Sequence, residues 1–154
     1  MDVYGIEIGV NRGLTNFQLL DYAEKLQIPN FRGVFMRDTL PNNPKQVECG
    51  IVNLNRSNEN GSHWVCYMKI KTNRIYFDSF GQDVPIEIAR YLKTTKEFND
   101  KSAVIARNTD IVQRFNTHVC GHLCLVVLTS LMREHQSYLQ TIDSLNNGYS
   151  QNYW

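Results

Sequence analysis

The sequence predicts an α+β domain, with strands in the middle of the chain and helices toward both ends. Three observations carry that expectation. Residues Trp64 to Ile70 alternate, placing Trp64, Cys66, Met68 and Ile70 on one face of a strand. Residues Leu14 to Leu26 repeat their apolar positions at helical spacing. Behind Cys120-Gly121 the chain becomes an apolar run too long for one strand, read as a buried helix packed on the sheet. At 154 residues the default is a single domain, 1–154, large enough to bury a sizeable core.

Composition narrows the functional classes. Hydrophobic residues make up 42% and charged residues 20%, ordinary for a globular chain and against disorder. A formal net charge of +1 gives no general electrostatic case for nucleic acid or an anionic membrane. Met1 to Val10 lacks the basic start and apolar core of a signal peptide, and no apolar run approaches the roughly 20 residues of a membrane span. The four cysteines, Cys49, Cys66, Cys120 and Cys124, lie in apolar segments, so reduced thiols in a cytosolic or nuclear setting are expected, and not secretion.

Taken in order, Thr15 with Gln18 three residues on fits a capping box, and Leu19, Leu20, Ala23 and Leu26 form one stripe before Pro29. Phe31 to Met36 reads as a short strand and Asp38 to Lys45 as a loop. Cys49 to Leu54 is a compact apolar strand, followed by a polar loop from Asn55 to Ser62. A turn at Thr72-Asn73 joins Trp64–Ile70 to a returning strand from Arg74 to Phe77. Asp83 and Pro85 fit a helix start, with Ile86, Ala89 and Leu92 as its apolar side. Ala103 to Ala106 suits one more strand. Tyr138 to Leu145 reads as a last helix stopped at Asn147-Gly148.

Cys120 opens the buried helix. Unpaired amides and partial positive charge at a helix N-terminus favour thiolate over thiol, and Gly121 leaves room for a peptide backbone to approach. A cysteine nucleophile needs an imidazole base, a group to orient it and donors for an oxyanion. Of the four histidines, His135 sits at the polar end of the long helix, and His118 and His122 gain nothing from being close in sequence. His63 enters a strand from a loop, a common place for functional residues. Asp78 ends the paired strand. A tight turn at Thr72-Asn73 sets it opposite Tyr67, four residues or roughly 13 Å from His63, so contact needs a longer loop, a bulge or strong twist. Gln113, seven residues before Cys120, could supply an oxyanion donor beside the Cys120 amide.

Together these residues resemble a known family. His63-Trp64, the strand ending Tyr76-Phe77-Asp78-Ser79-Phe80-Gly81, and Gln113 seven residues before Cys120-Gly121 are similar to the adenovirus maturation protease (adenain). The wider fold family includes proteases of SUMO-type ubiquitin-like proteins. Cys49 to Asn53 also resembles the strand before adenain's catalytic histidine, and the compact layout is most similar to the proteases of Maverick/Polinton elements and virophages.

The resemblance implies a central mixed sheet, a monomeric cysteine endopeptidase without a metal, and action within the virion or host cell. It assigns Cys120 as nucleophile, His63 as general base and acid, Asp78 as orienter and Gln113 to the oxyanion hole. Trp64 and Gly121 would shape a narrow channel for capsid or core precursors cut at Gly-containing sites. Adenain has glutamate where this chain has Asp78. It is activated by a disulfide-linked peptide and by DNA; here no cysteine lies near Ser102, the chain is nearly neutral, and its C-terminus is shorter. Two rivals stand beside this reading: a ubiquitin-like-protein peptidase with the same catalytic residues, and a zinc-binding module built on His118, Cys120, His122 and Cys124, or on a subset of them with His63 and Cys66. Cys49, Cys66 and Cys124 read as core, and Tyr149, Tyr153 and Trp154 as a docking tail.

Overall fold

The computed structural model describes residues 1–59, 63–94 and 104–149. Asn60 to Ser62, Ser102, Ala103, Tyr153 and Trp154, and with them parts of the loop, strand and tail expectations above, lie outside the described residues.

The chain opens with a small hairpin, β1 (Asp2–Val3) and β2 (Ile6–Glu7), which the sequence reading did not anticipate. Its two-residue turn is Tyr4-Gly5, both at positive φ. Helix α1 (Asn16–Lys25) follows, with the expected capping box: the Thr15 hydroxyl accepts from the Gln18 amide while the Gln18 side chain accepts from Thr15 N. Leu19, Ala23 and Leu26 are buried, but Leu20 is 43% exposed and leaves the predicted stripe.

Five strands then form one mixed sheet in sequence order: β3 (Phe31–Met36), β4 (Val47–Asn53), β5 (Trp64–Ile70), β6 (Asn73–Phe77) and β7 (Ala106–Arg107). The outer pairs β3–β4 and β6–β7 are parallel, and β4–β5–β6 are antiparallel. Alternation divides the side chains between two layers. Cys49, Ile51, Cys66, Met68, Ile75 and Phe77 face α1 and the central helix α3 (Cys120–Leu128). Val52, Val65, Tyr67 and Tyr76 face α2 (Ile86–Lys93). The apolar side of α2 is Ile88, Tyr91 and Leu92; Ile86, predicted to be inward, is 57% exposed.

Every residue of α3 is buried, which accounts for a run with no polar face. It continues as a wider turn over Thr129–Arg133, and α4 (Tyr138–Ser144) continues likewise over Leu145–Tyr149, past the expected stop. His135 comes after that first turn, exposed and at positive φ.

The β5–β6 hairpin differs from expectation by one residue, and this matters for function. Ile70 pairs with Asn73, so the turn is Lys71-Thr72, with Lys71 at φ 53°. Moving the turn by one residue moves the register by two. One step beyond the Cys66–Phe77 pair, Asp78 falls opposite Val65, leaving His63 only two residues away on the same face. Such diagonal neighbours are about 7–8 Å apart, within reach of long side chains, so no bulge or longer loop is needed.

The corrected α1 stripe has a direct consequence for stability. Leu19→Ala is expected to cost about 2–5 kcal/mol, and Leu20→Ala less than about 0.5 kcal/mol, as read by denaturant unfolding.

Candidate active site

The site forms where the start of β5, the end of β6, the loop before α3 and the first turn of α3 meet. His63 precedes β5 directly, with only 12% of its side chain exposed. Its Nε2 donates to Asp78 Oδ1 at 2.6 Å, and its ring shares a groove with Cys120. With Nε2 engaged by the carboxylate, Nδ1 is the nitrogen left for sulfur. Burial works against a charged imidazole. The hydrogen bonds and charges of Asp78 and Cys120 outweigh it, and the His63 pKa is raised to about 9.

Asp78 is held at both its backbone and its carboxylate. Its Oδ1 also accepts from Phe80 N at 2.9 Å, closing an Asx turn, and Gly81 N donates to Asp78 O at 2.8 Å. Gly81 has φ +67°, and a Cβ there would collide with the Thr109 carbonyl, so this turn requires glycine. Asn108 clasps the Asp78 backbone from the other side: its Oδ1 accepts from Asp78 N at 3.1 Å and its Nδ2 donates to Asp78 O at 2.6 Å. Tyr138 of α4 donates its hydroxyl to Tyr76 O and to Asn108 Oδ1, bracing the clasp. Asp78 Oδ2 is buried with no protein partner among the described residues.

Gln113 is 3% exposed, not the solvated loop residue its position would suggest. Ser79 Oγ donates to Gln113 Oε1 at 2.5 Å, and Gln113 Nε2 donates to Thr117 O at 3.0 Å. The Thr117 carbonyl, which can only accept, therefore fixes which way round the amide lies, and the serine hydroxyl holds its oxygen. Its second N–H is free of that bond, in a groove it shares with His63 and Cys120. Ser79 and Asn108 were both missed by sequence reasoning. Their partners lie 34 and 30 residues away and carry no spacing signal.

Cys120 is 7% exposed at the first turn of α3, whose preceding residue Val119 offers no side-chain cap. The first-turn amides are thus left for another acceptor. Gly121 faces inward, not toward a substrate as expected: a Cβ there would stand 3.3 Å from Leu19 Cδ2 and Trp64 Cδ1 and 3.5 Å from Leu14 Cβ. Its role is close packing of α3. Trp64 lines the groove, and its indole N–H donates to Leu14 O at 2.8 Å.

The remaining histidines and cysteines have other roles. His122 is buried and donates through Nε2 to Gly9 O at 2.6 Å; burial holds its pKa down despite that bond. His118 is exposed. Among the described residues no group of three His, Cys, Asp or Glu could hold a metal, and Cys120, His122 and Cys124 lie along one helix, not around one point. The zinc-module alternative has no geometric basis here. Cys49, Cys66 and Cys124 are core, and burial pushes the Cys124 thiol well up, beyond the range of a nucleophile.

A thiol at a helix start, an imidazole in the same groove and a carboxylate behind the imidazole, set on an α+β frame, are the arrangement of a cysteine peptidase. The chain belongs to the adenovirus endoprotease family, whose model matches residues 31–152. Among solved structures it is similar to the ASFV pS273R protease, with a TM-score of 0.58 and 17% identity over 90% of this chain and 66% of that one. A selenomethionine crystal structure of the same protease gives a TM-score of 0.56 and 18% identity over 93% and 68%. The chain thus spans about two thirds of that protease's length, and at this identity the likeness is one of fold. No curated protein matches the sequence.

The charge arrangement can be read without a substrate. The His63 ring resonances should titrate near pH 9 in NMR spectra, and Asp78→Asn should move the midpoint down by removing a bond and a charge that favour the imidazolium. Because the folded pKa lies above the ordinary value, the stability it contributes is complete below about pH 6.5. It is lost as pH rises through about 9. A midpoint unmoved by Asp78→Asn would refute this account.

Proposed function

We propose that this chain is an endopeptidase that cuts capsid or core precursor polypeptides of a virus or mobile element, at Gly-containing sites, inside the virion or host cell. The observation that carries this reading is the imidazole bonded to Asp78 and lining one groove with Cys120 at the uncapped start of a buried helix.

In the proposed mechanism, Cys120 rests as a thiolate paired with protonated His63 and attacks the scissile carbonyl. The carbonyl oxygen takes the negative charge and is held by the Gln113 side-chain amide and the Cys120 backbone N–H. As the tetrahedral intermediate collapses, the C–N bond breaks and His63 protonates the leaving amine, giving an acyl-enzyme thioester. Water, deprotonated by His63, attacks that thioester; the acid product leaves and the thiolate paired with protonated His63 is restored. Throughout, Asp78 holds the ring in one orientation and offsets its charge. The proposed preference for glycine comes from the family resemblance, with Trp64 and Leu14 as the groove residues that would contact the substrate.

Cys120→Ala is expected to abolish turnover with the fold intact, and Gln113→Ala to lower kcat by roughly 10²–10³. A peptide vinyl sulfone should label Cys120 and no other thiol by mass spectrometry; full turnover in Cys120→Ala would end this reading. Capsid precursor peptides and ubiquitin-like fusions, offered in parallel, decide the substrate class: cleavage confined to the fusions would favour a ubiquitin-like-protein peptidase.

The Ser79 hydrogen bond gives a separate test. Ser79→Ala should lower kcat about tenfold with little effect on KM. Added to Gln113→Ala, it should cost almost nothing more, because both act through one amide. Full additivity would show that Ser79 acts otherwise.

A further inference from the structure

Phe80 stacks on the His63 imidazole, ring centroids 4.8 Å apart and planes 26° from parallel. Phe115 stacks in turn on Phe80, at 5.5 Å and 18°. Three rings thus run outward from the imidazole, and the last is 80% exposed. Other large apolar side chains are also exposed, among them Phe17 and Leu139. Singly they mean little. Phe115 differs because its ring ends an ordered stack that begins on the imidazole and lines the groove of about 630 Å³ holding His63 and Cys120.

That groove continues at both ends. Leu14 and Trp64 are shared with a second concavity reaching Met36 and Asn53. Phe115 is shared with a third, lined also by Ile111 and Arg114. An extended peptide lying across Cys120 places its acyl half toward one end and its amine half toward the other. The amine half is fixed by chemistry: His63 must reach the leaving nitrogen, so the residue after the scissile bond lies against the imidazole. The ring surface continuing from that imidazole is Phe80 and Phe115.

We propose that Phe115 is a specificity-determining residue that selects a large apolar or aromatic side chain immediately after the scissile bond. The inference rests on the peptidase reading above and adds to it a preference on the leaving-group side. An incoming apolar side chain covers the exposed Phe115 face and removes both surfaces from water. Stacking adds to that when the incoming side chain is aromatic. Glycine or aspartate at the same position leaves the ring in water.

The test is cleavage profiling of a mixed peptide library by mass spectrometry, with wild type, Phe115→Ala, Phe115→Tyr and Cys120→Ala in parallel. Cuts by the wild type should be enriched about two- to tenfold in Phe, Tyr, Leu or Met over Gly or Asp directly after the cut. Phe115→Ala should erase that ratio and Phe115→Tyr should restore it. The side chain is mostly exposed, so neither change threatens folding. Cysteine-dependent cuts with no such enrichment, or an enrichment that Phe115→Ala leaves in place, overturn the proposal while the peptidase reading stands. Cuts that persist in Cys120→Ala overturn the peptidase reading, and this inference with it.

Discussion

A carboxylate buried almost completely, that of Asp78, is the constraint on which the rest of the site depends. Taking such a group out of water costs several kcal/mol unless it is paired. One oxygen is satisfied by His63 and by the Phe80 amide; the other has no protein partner among the described residues. The charge is therefore offset chiefly from one direction, by the imidazole, and the raised His63 pKa is the same fact seen from the histidine. The imidazole in turn lines one groove with Cys120, so the order carboxylate, imidazole, sulfur starts from a buried first member. Much of the local architecture keeps that carboxylate in place: the Asn108 clasp, the Tyr138 brace and the turn that only Gly81 permits.

The parts of the fold written in local pattern could be read from the sequence. Period-two alternation located β5 to the residue, the Thr15–Gln18 pair located the start of α1, and the apolar run after Cys120 located α3. The hairpin register was misread because its turn carries no conventional signal. Lys71 takes the left-handed conformation that Asn73 would accept more readily, so the sequence draws the turn one residue late. That one residue turned a diagonal contact into an apparent gap of about 13 Å between His63 and Asp78. Leu20 and Ile86 were misplaced for a related reason: helical periodicity says how wide an apolar face is, but the packing partner decides which edge of it is covered.

Ser79, Asn108 and the Phe80–Phe115 stack belong to a different class. They act only once the segment after β7 lies beside the end of β6, and no spacing within one element anticipates that. A serine after a strand-end aspartate, or an asparagine in a loop, is ordinarily a turn residue. Gln113 was picked out by its distance from Cys120, but its burial and its bond from Ser79 come from the tertiary fold. Sequence thus picked out the groups proposed to carry the chemistry, and the fold shows what holds them.

Burial also separates the two halves of the site's work. Cys120, the proposed nucleophile, rides on a helix with no exposed residue, wedged by Gly121 against Trp64, Leu14 and Leu19, so it cannot shift without opening the core. The base and its carboxylate are tied to paired strands. By contrast, Arg114, Phe115, Asn116 and His118 on the segment leading into α3 are exposed. Changing a core position there would alter stability and chemistry together, whereas changing Phe115 alters only what the groove presents to a peptide. A peptidase on this frame can therefore change its substrate through a few exposed loop residues while its catalytic centre stays fixed by packing.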